Sequence, residues 1–101
     1  AIQFMLADMK TKIEASRLLT WRSAAESDAG VRNTESAAHA KVFASDSAME
    51  VATDAVQVYG GYGYSEEYPV ARLMRAAKVM QIYEGSSQVQ RMIIGREIIR
   101  G

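Results

Sequence analysis

The sequence has no cysteine, one proline and one histidine among its 101 residues. Without cysteine, a disulfide framework, a thiol nucleophile and a thiolate metal site are excluded. His39 alone cannot supply a histidine-rich metal site. Neither sign of charge is in excess: 12 Lys plus Arg balance 12 Asp plus Glu. A broad nucleic-acid surface needs a basic excess, so none is expected. No apolar run approaches the roughly 20 residues of a membrane-spanning helix. No signal peptide is visible, and the default expectation is a cytosolic or organelle-matrix protein.

What is present fits a globular domain: 49% of residues are hydrophobic and 24% charged. The length allows one small domain at most. Such a domain buries only about 60–65% of its unfolded surface, so it folds marginally if it also exposes apolar faces. The first residues, Ala1-Ile2-Gln3-Phe4-Met5-Leu6, read as mid-helix without an initiator Met or an N-cap. The expectation is a piece of a longer chain.

Glycine and proline punctuate four helical stretches. The first runs from about Ile2 to Ala29, with Ile2, Leu6, Met9 and Ile13 as an apolar stripe, an Asp8–Lys12 pair at i,i+4 and Gly30 as the stop. The second begins at the N-cap candidates Asn33 or Thr34 and reaches Tyr59. Its apolar face carries Ala38, Val42, Met49, Ala52, Val56 and Tyr59, and its alanines at 44, 48 and 55 let a neighbour approach closely. Pro69 suits the first position of a third helix, with Val70, Leu73, Met74 and Ala77 inward. A fourth starts after Gly85, where Ser87 and Gln90 stand in capping-box spacing, and Val89, Met92, Ile93, Ile98 and Ile99 are expected to pack. Short connections predict antiparallel neighbours, hence an all-α, up-and-down four-helix bundle.

Two segments could carry chemistry. Tyr59-Gly60-Gly61-Tyr62-Gly63-Tyr64 lets the backbone turn tightly or approach a flat ligand. It lacks the spacing and the preceding strand of a dinucleotide fingerprint, and the plain alternative is a helix terminator. Tyr83-Glu84-Gly85-Ser86-Ser87-Gln88 sets a carboxylate just before a helix start. A non-polar setting raises a carboxylate's proton affinity and suits a general base, whereas the helix dipole favours the anion. The alternative is a capped turn with an exposed Glu. Arg72, Arg75 and Lys78 read as a solvated stripe, His39 as an ion-pair partner of Glu35, and Trp21 and the methionines as packing. No nucleophile elbow surrounds any serine.

Taken together, L-A-D-M-K-T-K-I-E-A-S-R-L-L-T (6–20), A-T-D-A-V-Q-V-Y-G-G-Y-G-Y (52–64), E-Y-P-V-A-R-L-M-R (67–75) and Q-I-Y-E-G-S-S-Q-V-Q-R (81–91) closely resemble the C-terminal helical domain of the acyl-CoA dehydrogenase family, in the family's order. The resemblance implies a three-domain FAD enzyme that oxidises acyl-CoA thioesters to trans-2-enoyl-CoA, with electrons passing to electron-transfer flavoprotein. It implies a homo-oligomer, dimer or tetramer. Glu84 would abstract the α-proton while the β-hydrogen leaves as hydride to flavin N5. Gly85 and Tyr83 would contact substrate. Ser86, Ser87 and Gln88 would contact flavin, and Gln57, Val58, Tyr59, Gly60 and Gly61 would touch the adenine-dinucleotide part of FAD bound to a neighbouring subunit. Three positions depart from the family's habit: Ala76 for Asp, Ala71 for Glu and Ser86 for Thr. The fragment alone is expected to be inactive. The alternatives are an assembly module without catalysis of its own, or the same domain of an acyl-CoA oxidase.

Overall fold

Gly30 ends the first helix, α1 (Ile2–Asp28), by adopting the left-handed conformation at φ 72°. The Val31 N–H then donates to the Glu26 carbonyl at 2.9 Å and the Gly30 N–H to that of Ser27 at 3.1 Å, a Schellman closure. The reversed chain enters α2 (Thr34–Tyr59), which is followed by α3 (Pro69–Ile82) and α4 (Ser87–Arg100). The computed structural model describes residues 1–60, 69–82 and 86–101, and it contains no strand among them. The expected all-α, four-helix architecture is present. Pro69 opens α3 as expected.

Helix α2 is the axis of the fold, packing against each of the other three helices. It runs antiparallel to α1: Ser36 donates to Glu26 at 2.9 Å near the connection, and Lys12 meets Glu50 at 2.6 Å farther along. Lys12 therefore pairs across to α2 rather than forming the expected salt bridge with Asp8. Antiparallel packing presents Glu50 directly to it, while Asp8 contributes only longer-range attraction. Asn33 is the N-cap of α2 by position, but its side chain makes no capping bond. Its amide donates instead to the Ser23 carbonyl and hydroxyl, at 3.3 and 3.2 Å, tying α2 to α1.

Helices α3 and α4 both run against α2, at successive levels. Gln81, at the end of α3, and Ser87, at the start of α4, both reach Asp46, and farther along α4 Glu97 meets Arg32 at 2.7 Å. The three long-range contacts place α3 beside the C-terminal half of α2 and α4 beside its N-terminal half.

The packed centre is made of small residues. Ala38, Ala71 and Ala77 are its buried apolar members, and no large side chain is fully buried among the described residues. Alanine contacts bring the α2 and α3 backbones close but remove little apolar area. Much of the predicted packing face is outward. Ile2, Leu6 and Ile13 on α1, Leu73 on α3, and Val89, Met92, Ile98 and Ile99 on α4 are exposed, Ile99 at 89%. Trp21 is exposed too, with the Arg17 guanidinium 6.0 Å from its ring centroid. Periodicity identifies an apolar face; it does not identify what covers it. The accessible surface is 7083 Å², whereas a folded monomer of this mass exposes about 5,700 Å². The molecule is also elongated, 48 × 25 × 23 Å.

Candidate functional site at the junction of two helices

The polar chemistry of the fold concentrates where α3 ends and α4 begins. Ser86 caps α4: its backbone is extended, at φ −61° and ψ 164°, and its hydroxyl accepts the Val89 N–H at 3.3 Å. The cap thus falls one residue earlier than the Ser87–Gln90 spacing predicts. Either serine of the Ser86-Ser87 pair satisfies the local rule, and a tertiary contact decides between them. Ser87 turns inward, is buried, and donates to Asp46 Oδ1 at 3.0 Å.

Asp46 sits on α2 and serves both helix ends. Its Oδ1 also accepts from Gln81 Nε2 at 2.9 Å, on the last turn of α3. Its Oδ2 accepts from Arg91 Nη2 at 2.6 Å, on α4. The preceding turn of α2 completes the arrangement. Ser45 donates to the Met80 carbonyl at 3.4 Å, and the Lys41 ammonium donates to that carbonyl and to Ser45 Oγ. A cation at a helix C-terminus is favourable, because the last carbonyls carry partial negative charge. Burial works to raise the Asp46 pKa, but hydrogen bonds from Arg91, Gln81 and Ser87, with the Arg91 charge, outweigh it and hold the carboxyl below its ordinary range.

Of the residues singled out in the sequence, Tyr83, Glu84, Gly85 and Gly61 lie outside the described residues. Gln57, Val58 and Tyr59 are exposed on the last turn of α2. Gly60 ends that helix at φ 65°, with open space where a Cβ would stand. Gln88 is exposed on the first turn of α4. Residues 57–60 stand 11–14 positions beyond Asp46 along α2, roughly 17–21 Å at 1.5 Å per residue. Arg72, Arg75 and Lys78 are exposed, and His39 lies 3.4 Å from Glu35, both as expected. Among the described residues no cluster of His, Asp and Glu could hold a metal ion, and no helix is long and apolar enough to cross a membrane.

Sequence reading missed Asp46, Gln81 and Arg91 as a unit. The available signal was an acid set between serines in A-S-D-S-A, in the middle of α2.

Comparison with known proteins shows the family and the fold. Residues 1–99 match the family pattern described as "Acyl-CoA dehydrogenase, C-terminal domain". Cyclohexane-1-carbonyl-CoA dehydrogenase of Geobacter metallireducens is 56% identical over 99 residues, 98% of this chain and 26% of that protein. The solved structure of butyryl-CoA dehydrogenase from Megasphaera elsdenii superposes with a TM-score of 0.94 at 56% identity, covering 97% of this chain and 26% of that one. A structure described as the electron transferring flavoprotein of Acidaminococcus fermentans contains a chain that matches with a TM-score of 0.97 at 55% identity, over 100% of this chain and 27% of that one. The chain thus spans about a quarter of the length of the relatives it matches.

Proposed function

The chain belongs to the acyl-CoA dehydrogenase family, and on that premise we propose that it is the C-terminal helical domain of a longer, FAD-dependent enzyme that introduces a 2,3 double bond into acyl-CoA thioesters. The observation carrying this reading is the match along residues 1–99, which includes the Tyr83-Glu84-Gly85-Ser86-Ser87-Gln88 motif that runs into the first turn of α4.

Glu84 acts as the base. A hydrogen on carbon two of a thioester is a poor acid, and its removal becomes feasible only as negative charge on the thioester oxygen is stabilised. The Glu84 backbone N–H provides one donor for that oxygen. The bound acyl chain excludes water, which raises the carboxylate's proton affinity toward working pH and counters the positive end of α4. Gly85 leaves room for the thioester, and Tyr83 is a second substrate contact. FAD, when bound, supplies the acceptor for the hydride that leaves carbon three.

The described residues suit such a cofactor. At the start of α4 the N–H groups of Ser87 and Gln88 have no intrahelical acceptor and favour a polar or anionic group. The Ser86 hydroxyl accepts from Val89 and keeps its own hydrogen to donate. The Ser87 hydroxyl is engaged by Asp46, so Ser87 contributes through its backbone. Gln57 to Gly61 serve the adenine-dinucleotide part of the FAD bound mainly by another subunit. Two subunits would then share one cofactor, in a homodimer or homotetramer. Electron-transfer flavoprotein is the electron acceptor, in a bacterial cytoplasm or a mitochondrial matrix.

The test is Glu84→Gln in the full-length enzyme. Shape is preserved and basicity is lost, so FAD stays bound while reduction of the flavin by an acyl-CoA falls at least a thousandfold, within the range for loss of a general base. Fast flavin reduction by that variant would instead favour an assembly role for this domain, the reading to which its large exposed apolar faces also lend weight.

A further inference from the structure

Residues 83–85 are bounded by two helix ends, and one carboxylate holds both. On the α3 side, Gln81 Nε2 donates to Asp46 Oδ1 at 2.9 Å. On the α4 side, Ser87 Oγ reaches the same oxygen at 3.0 Å and Arg91 Nη2 reaches Oδ2 at 2.6 Å. The adjacent Ser45, and Lys41 just over one turn earlier on α2, fasten the Met80 carbonyl. These bonds join positions 35 to 45 residues apart in the chain. Between α3 and α4 themselves there is little contact among the described residues, so their relation is set through α2.

We propose that Asp46 is a positioning residue for the family's reaction: by holding the last turn of α3 and the first turn of α4 on one carboxylate, it fixes the two ends between which Glu84 is strung. The inference rests on the reading of Glu84 as base and adds a residue to it. Two features argue for a positioning role over a general contribution to stability. The carboxylate is bound to both flanks of one three-residue stretch. Its partners are geometrically distinct, an amide, a hydroxyl and a guanidinium, so the arrangement is directional.

Asp46→Ala removes all three bonds. Asp46→Asn keeps an acceptor for Gln81 and Ser87 and gives up only the ion pair with Arg91. A displacement of about 1 Å at a reacting group costs on the order of a hundredfold in rate. In the full-length holoenzyme, Asp46→Ala is expected to lower the limiting rate of flavin reduction by butyryl-CoA roughly 10- to 100-fold. FAD content and the apparent affinity for butyryl-CoA should change little, and Asp46→Asn should recover much of the rate.

A second readout does not depend on turnover. Hydrogen–deuterium exchange in the same holoenzyme should quicken at residues 80–82 and at 87–91 together in Asp46→Ala. In Arg91→Met it should quicken on the α4 side alone. Two results overturn the proposal: a wild-type rate of flavin reduction in Asp46→Ala, or unchanged exchange at either flank. Glu84→Gln measured alongside keeps the two readings apart. A fast Glu84→Gln enzyme contradicts the base, whatever Asp46 does. A dead Glu84→Gln enzyme beside an unimpaired Asp46→Ala enzyme contradicts only the positioning role.

Discussion

At the scale of single residues, Asp46 shows how the setting of a side chain decides its charge. Burial alone would favour the neutral acid, yet bonds from Arg91, Gln81 and Ser87 keep the anion and depress the pKa. A carboxylate with a depressed folded pKa contributes stability that is complete above the ordinary value of about 3.9. That contribution is lost as pH falls through the depressed value. The denaturant midpoint of the full-length enzyme should therefore fall below about pH 4, and Asp46→Asn should flatten this acid slope. Superimposable acid slopes for the two proteins would contradict the assignment. Almost none of this was legible in the sequence. Helical periodicity reports neighbours three or four positions apart, whereas the partners of Asp46 are 35, 41 and 45 positions away. The cap shifted by one residue for the same reason: locally, Ser86 and Ser87 are equivalent, and only the reach of Asp46 separates them.

At the scale of elements, the sequence was far more informative, because glycine and proline act locally. Gly30, Gly60 and Pro69 mark helix ends or starts through backbone conformations that few other residues take as readily. Gly30 gives a clean test. Nothing lies within 4 Å of where its Cβ would be, so Gly30→Ala meets no clash and its penalty is conformational. The left-handed geometry costs an L-residue about 1–2 kcal/mol. Unfolding by urea should show a loss of that size, with Gly30→Asn losing less because asparagine tolerates this region better. Equal stability of all three proteins would show that the turn does not hold the α1–α2 hairpin. Helix contact gives a second test. Ala71 is 3% exposed where α3 lies on α2, so Ala71→Leu should overpack that contact and cost about 1–3 kcal/mol. The Lys12–Glu50 bridge was not foreseen, since an i,i+4 partner can be read from spacing and a cross-helix partner depends on register.

At the scale of the whole molecule, apolar stripes on α1 and α4 face outward, and a groove of about 460 Å³ runs between α1, α2 and α3, lined by Ile13, Ala48, Leu73 and Met80 among others. Surfaces of this kind associate. The isolated 101-residue chain should sediment as oligomers at high concentration, and a clean monomer there would count against the account. The same chain, given FAD, an acyl-CoA and a dye acceptor, should show no turnover, because it spans only about a quarter of the relatives' length. Family membership was legible in the sequence because its four motifs follow the family's order along the chain; the covering of the apolar faces was not, because it is a property of an assembly. The central claim concerns Glu84, and the most direct measurement is a crystal structure of the full-length enzyme with FAD and a bound acyl-CoA analogue. The account predicts the Glu84 carboxylate within hydrogen-bonding reach of carbon two of the thioester, shielded from water. A Glu84 carboxylate turned to bulk solvent, with another basic group over carbon two, would contradict it.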